Sequence, residues 1–224
     1  MKITLCIPTI RRFDLLHECI HSAITGSRPP DKISIIDNSG GLFTSDGHRH
    51  RLENMCNQVI DVITPSNNLG VARSWNTFLS LYDDIVIISN DDICFKNNLI
   101  EEIEKTWYEK PEYALFYPSA AYTSMFALFT LRKEAFTTVG LFDEKFYPAY
   151  FEDKDYQYRM RINNLQVYCV TSTDYAHVGS ATLKTYTDNE KENHNQNFRR
   201  LESYYIEKWG GSPGEEKYRN PFNK

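Results

Sequence analysis

The chain has 224 residues, 41% of them hydrophobic and 14% aromatic, enough apolar mass to bury roughly 70% of the unfolded surface as one α/β domain and to exclude a disordered chain. Against 30 Asp and Glu stand 25 Lys and Arg, a net charge of −5, so the overall field gives no reason to expect nucleic acid or an anionic membrane as partner. Its apolar runs, such as Ile85-Val86-Ile87-Ile88 and 125–131, fall short of the roughly 18 to 20 residues of a membrane helix, and no membrane span is expected.

Lys2 is followed by only five apolar or β-branched residues before Pro8, too few for the core of a secretory signal, so 3–7 reads as a first strand. Leu15, Leu16, Cys19, Ile20, Ala23 and Ile24 recur at three- and four-residue steps, which predicts an amphipathic helix stopped by 27–30. A β-branched run at 32–36 ends in Asp37-Asn38-Ser39-Gly40-Gly41, a loop signature. Further strands are expected at 59–63 and 85–89, the latter buried on both faces, with a helix between them at 71–82. This alternation predicts a mainly parallel sheet covered by helices. Beyond Asp92 the pattern loosens into helices at 99–107, 133–139 and 152–162 and short strands near 114–117 and 126–131. Residues 210–224 are Gly, Pro and charge, a draped or frayed tail. His48-Arg49-His50-Arg51 reads as a solvated loop able to touch an anionic acceptor. The cysteines (Cys6, Cys19, Cys56, Cys94, Cys169) are scattered, odd in number and mostly in apolar stretches, as reduced buried thiols are, which points to a cytoplasmic protein.

Parallel α/β sheets bind ligands at the carboxyl ends of their strands. There the strand 85–89 delivers Ser89-Asn90-Asp91-Asp92. Two adjacent carboxylates repel unless a cation or donor-rich ligand lies between them, and oxygen ligands suit Mg²⁺ or Mn²⁺ holding a diphosphate. A capping Asp with a solvated neighbour is the other reading. After the first strand, Pro8-Thr9-Ile10-Arg11-Arg12 places two guanidinium groups at a helix start, where phosphate or a base edge is met. Asn67-Asn68-Leu69-Gly70 precedes a helix carrying Arg73 and Asn76, with Gly70 suited to close backbone approach to a ligand or to a plain turn. In Phe151-Glu152-Asp153-Lys154-Asp155-Tyr156, Asp155 and Arg159 share a helix face as an ion pair worth a few tenths of a kcal/mol. Asp153 lies about 200° round the helix from Asp155 and serves no such pair. A carboxylate at a helix N-terminus stays ionised, as a general base for a sugar hydroxyl must be. The aromatic loop before it, 147–151, suits an acceptor sugar or core packing.

Ile3 to Thr9, Ile36-Asp37-Asn38-Ser39-Gly40, Asn68 to Asn76, Ser89 to Ile93, Gly140 to Glu144 and Phe151 to Arg159 occur in the order seen in family 2 glycosyltransferases of the GT-A fold. Over roughly 3–180 the chain resembles that family, its rhamnosyltransferase-like branch in particular. The resemblance implies one GT-A domain over 1–209, with a nucleotide-sugar-binding half at 1–92 and an acceptor and catalytic half at 93–209. It implies inverting transfer from a UDP-, dTDP- or GDP-linked sugar to a glycan or other hydroxyl, assisted by Mn²⁺ or Mg²⁺. Carried over, Asp37 meets the donor's base in a pocket lined by Pro8 and Thr9, and Arg11, Asn68, Gly70 and Arg73 belong to the nucleotide-sugar site. Asp91 meets the ribose, Asp92 the metal, and His177 the metal or diphosphate. Asp153, preceded by Glu152, matches the base, and Asn90 departs from the acidic first position of the Asp-x-Asp motif.

That departure motivates a second reading, a noncatalytic nucleotide-sugar or glycan-binding module. A third is zinc hydrolysis, since His17-Glu18-Cys19-Ile20-His21 has the H-E-x-x-H form, although these residues oppose the apolar stripe of their helix. A sugar-nucleotide pyrophosphorylase is disfavoured, because 6–12 holds no glycine.

Overall fold

A computed structural model describes residues 1–44, 47–82, 85–118, 125–178 and 187–224. The first half alternates as β1 (Ile3–Thr9), α1 (Phe13–Ile24), β2 (Lys32–Asp37), α2 (His48–Met55), β3 (Val59–Ile63), α3 (Gly70–Leu81) and β4 (Ile85–Ser89). The second half supplies β5 (Ile93–Phe95), α4 (Leu99–Glu109), β6 (Leu115–Pro118), β7 (Leu128–Leu131), α5 (Lys133–Val139), α6 (Glu152–Ile162), β8 (Val167–Val170), β9 (Tyr175–His177) and α7 (Asp188–Trp209).

Seven strands form one sheet in the order β3-β2-β1-β4-β7-β6-β8, and β5 and β9 form a separate antiparallel pair. Only β7 runs against its neighbours in the large sheet, so the expected mainly parallel α/β architecture is the one observed. Because β6, β7 and β8 continue the sheet begun by β1–β4, both halves share one backbone framework. The apolar run of β4 occupies the middle and is buried throughout. Ile85 and Ile87 face the core under α1 and α4, and Val86 and Ile88 face the core under α3, α5 and α6, as the two-residue period of a strand requires. Phe146, Phe151, Tyr158, Leu201, Tyr205 and Trp209 make a third cluster, where α7 lies on α6.

Several expectations need correction. His48–Met55 is a helix, not a loop; with Leu52 its one buried side chain it has no apolar stripe, and an Arg49–Glu53 ion pair (2.9 Å) braces its open face. Residues 188–209, for which the sequence announces no element, form the 22-residue α7, which buries only Leu201, Tyr205, Lys208 and Trp209 and so has a periodic signal confined to its last three turns. Residues 210–224 are draped, not frayed: the Lys217 and Tyr218 amides both donate to the Trp209 carbonyl, and Tyr158 donates to the Tyr218 carbonyl (2.6 Å). All five cysteines are free, but only Cys6 and Cys19 are buried; Cys94 points outward from the two-stranded sheet. No helix of the described residues is long and apolar enough to cross a membrane.

Candidate active site

Parallel pairing brings the carboxyl ends of β1, β2 and β4 to one edge, with Thr9 opposite Asp37. Thr9 is buried, and its hydroxyl donates to Asp91 Oδ2 at 2.6 Å, joining the β1 loop to the turn after β4. Burial first, then the neighbouring Asp92 charge, pushes the Asp91 carboxyl up to about 6, against the opposing pull of Thr9 and Arg12. Asn90 anchors the same turn through its backbone: its amide donates to the Ala127 carbonyl, and its carbonyl accepts from Ser89 Oγ.

Asp92 leads into β5, and β5 pairs with β9 so that Ile93 stands opposite His177. This register sets His177 Nε2 2.9 Å from Asp92 Oδ1, and the Val178 amide donates to the Asp92 carbonyl. The two residues assigned to the metal by resemblance are therefore neighbours, although three helices (α4, α5 and α6) and four strands (β5, β6, β7 and β8) separate them in sequence. Gly179 and Ser180, which follow His177, lie outside the described residues.

Asp37 is wholly buried at the end of β2. Its Oδ1 accepts from the amide and hydroxyl of Ser39 and its Oδ2 from the Leu42 amide, so the carboxylate shapes its own loop. Asn38 ties that loop to α3, donating to Ser74 Oγ and accepting from the Leu69 amide. Asn68 likewise accepts from the Gly70 amide (2.8 Å). Gly70 does permit a close approach, but by the chain's own loop. At φ +72° a side chain is strained, and an added Cβ would sit 2.7 Å from the Pro148 carbonyl oxygen, which accepts from the Val71 amide. Pro8 is half-buried beside Thr9. Arg73 is exposed, 3.7 Å from Glu144. Arg11, also left-handed at φ +63°, points an exposed guanidinium at Glu190 of α7 (2.7 Å). Nothing in local sequence pattern announces that contact.

The loop that meets Gly70 leads straight into α6. Tyr150 and Phe151 both have positive φ (+88° and +70°), and the next two residues are Glu152 and Asp153. Asp153 Oδ1 accepts from the Lys154 amide at the first turn, where the helix dipole favours a negative charge. Glu152 is buried, its Oε2 without a hydrogen-bond partner, and burial followed by the adjacent Asp153 charge pushes its carboxyl up to about 8. Asp155 does pair with Arg159 (2.8 Å), but as part of a buried hub, not a surface pair. Its other oxygen accepts from Lys208 Nζ (2.6 Å) and Trp209 Nε1 (2.8 Å), and Lys208 also meets Asp143 (2.7 Å). Helix α6 is thus clamped by the end of α7.

The zinc reading has no support in the fold, since Glu18 and His21 are exposed; no group of three or more metal-ligating side chains occurs among the described residues, and Asp92 with His177 makes only a pair. Comparison with known proteins agrees with the geometry. The family model described as glycosyl transferase family 2 matches residues 4–177. A galactofuranosyl glycosyltransferase of Leishmania donovani is 37% identical over 83 residues, which are 37% of this chain and 18% of that protein. Among solved structures, the mannosyltransferase PcManGT from Pyrobaculum calidifontis, in complex with GDP-Man and Mn²⁺, superposes with a TM-score of 0.59 at 15% identity, covering 77% of this chain and 55% of that one. S. aureus TarS 1-349 in complex with UDP-GlcNAc gives 0.62 at 14% identity, covering 85% and 63%. The chain thus spans less than two thirds of each of these proteins, and at such identities the structural likeness speaks for the fold. With the family model covering most of its length, the chain belongs to glycosyl transferase family 2 and has the GT-A fold.

Proposed function

We propose that the chain moves a sugar from a nucleoside diphosphate sugar to an acceptor hydroxyl in a single displacement that inverts the anomeric carbon. The observation that carries this reading is the Asp92–His177 pair, set by strand register at the carboxyl edge of the sheet beside the Thr9–Asp91 link. One carboxylate oxygen and one imidazole nitrogen form a mixed donor set that fits Mn²⁺ better than Mg²⁺, which prefers oxygen ligands. Asp92 and His177 would hold the dication, and it would supply positive charge for the departing diphosphate. Asp91, buried against Thr9, meets the ribose in this reading, and the loop that Asp37 organises meets the base. Pro8, Asn68, Gly70 and Arg73 frame that donor side, and Arg11 exchanges Glu190 for a phosphate oxygen. The domain then divides as the resemblance implies, into a donor half over 1–92 and an acceptor half over 93–209.

Asp153 accepts the proton of the acceptor hydroxyl as its oxygen bonds to the anomeric carbon. The bond from that carbon to the diphosphate oxygen breaks with its electron pair leaving on the nucleotide. The acceptor in this scheme is a glycan or another hydroxyl-bearing molecule.

The test is a melting screen of UDP-, dTDP- and GDP-sugars with and without Mn²⁺. A ligand at about 100 times its Kd adds about 2.7 kcal/mol, roughly 5 to 10 °C for a chain of this size. One nucleotide stabilising the protein only with Mn²⁺, and losing that effect in Asp92→Asn, is the expected result. No shift from any of them overturns the reading.

A further inference from the structure

Residues 188–209 lie beyond the family-matched segment, yet α7 touches the loop before the base at several points. The Tyr150 ring stands edge-on to His194 (centroids 5.1 Å apart) and to Phe198 (5.3 Å). Phe198 also lies 5.2 Å from Phe151, and the Arg200 guanidinium donates to the Tyr147 carbonyl at 2.6 Å. Two consecutive aromatic residues at positive φ are costly, and such strain persists where the surrounding structure fixes it, often at functional sites. Here it sorts the loop's side chains. Phe151 turns into the third core cluster, while Tyr150 and His194 remain half-buried and Phe198 is 38% exposed.

We propose that Tyr150, His194 and Phe198 form the platform on which the acceptor's sugar ring stacks while Asp153 takes the proton of its hydroxyl. The C–H face of a pyranose or furanose is apolar and matches an aromatic surface, whereas its hydroxyls project at the rim. The Tyr150 hydroxyl and the His194 ring nitrogens, 3.4 to 3.5 Å from one another, supply polar atoms at that rim. Asp153 is the second residue of α6 and follows Phe151 by two positions, which joins the platform to the proposed base through three residues of backbone. This inference rests on the transferase reading and names the acceptor class of the same site: a glycoside, bound by its ring face through an element outside the family-matched segment.

The experiment is saturation-transfer NMR on the full chain, with methyl α- and β-glycosides of glucose, galactose, mannose and rhamnose as probes. Nucleotide-induced melting is read on the same samples. Saturation is expected on ring C–H protons of at least one glycoside, with binding about five- to tenfold weaker in Phe198→Ala and in Tyr150→Ala and retained in Phe198→Tyr. Unchanged melting of Phe198→Ala with nucleotide shows that the fold and donor side are intact. Glycoside binding that ignores both alanine variants, or no transfer to any glycoside while nucleotide still binds, overturns the platform and leaves the transferase reading standing. Glycoside binding that depends on Phe198 in a protein indifferent to every nucleotide upholds the platform and overturns the transferase.

Discussion

His177 Nε2 and Asp92 Oδ1 stand 2.9 Å apart because β9 pairs antiparallel with β5, not because either residue lies near the other in the chain. A slip of one residue in that register would turn the His177 side chain to the opposite face. In the proposed metal site, replacing His177 by Ala removes one of the two side-chain donors. The Mn²⁺ concentration needed for half-maximal nucleotide-dependent stabilisation is expected to rise about 10- to 100-fold, read by titrating Mn²⁺ against the melting temperature. An unchanged Mn²⁺ dependence would assign His177 to Asp92 alone.

Asp153→Asn keeps the size and polarity of the side chain and removes its basicity. Transfer is expected to slow by about 10²- to 10⁴-fold, with the donor Kd unchanged. Steady-state kinetics and calorimetric nucleotide binding, measured on the same preparation, check the two halves of this prediction.

Glu152 makes stability depend on pH. Its folded pKa of about 8 lies above the usual glutamate value, so its contribution is fully present below about pH 4.5 and is lost as pH rises towards and through 8. Glu152→Gln keeps a neutral side chain at every pH. Urea unfolding is expected to find the variant close to wild type at pH 4.5 and more stable at pH 8.5, by on the order of a few kcal/mol. Equal stabilities at pH 8.5 would mean that the buried carboxyl finds a partner when it ionises.

The clamp on α6 predicts a large loss on removing Lys208. Lys208→Met preserves the aliphatic stem but leaves Asp155, wholly buried, with one cationic partner fewer. Breaking a buried pair costs about 3 to 5 kcal/mol, hence a fall in melting temperature of roughly 6 to 20 °C. Trp209→Phe deletes one hydrogen bond to the same carboxylate and is expected to cost about 1.5 to 3 kcal/mol.

The elements that sequence announced are those whose apolar positions repeat. In β4 every residue is buried, and α1 buries Leu16, Cys19, Ile20 and Ala23 at helical spacing, so strand and helix were both readable. α2 and α7 were not, because helices that bury few side chains leave little periodicity to read. At the site, the adjacent carboxylates after β4 stand out as a local pattern, and their separate partners, Thr9 and His177, come from distant strands. Asp155 and Arg159 looked like an ordinary surface pair because the residues that bury them, Lys208 and Trp209, lie some fifty positions on in a segment with no motif of its own. The Arg11–Glu190 contact was invisible for the same reason.

The dependence of α6 on α7 has a bearing on biosynthesis. Domains form largely in the order in which they leave the ribosome, and the helix that begins with Glu152 and Asp153 emerges well before Lys208 and Trp209. Until those two arrive, the Asp155 carboxylate lacks the ammonium and indole that satisfy it, and Phe146, Phe151 and Tyr158 lack the apolar cover of Leu201, Tyr205 and Trp209. The sheet edge built from β1, β2 and β4 needs none of these residues. A nascent chain would therefore complete the sheet edge proposed for the nucleotide first and seat the proposed base last, once synthesis has passed Trp209.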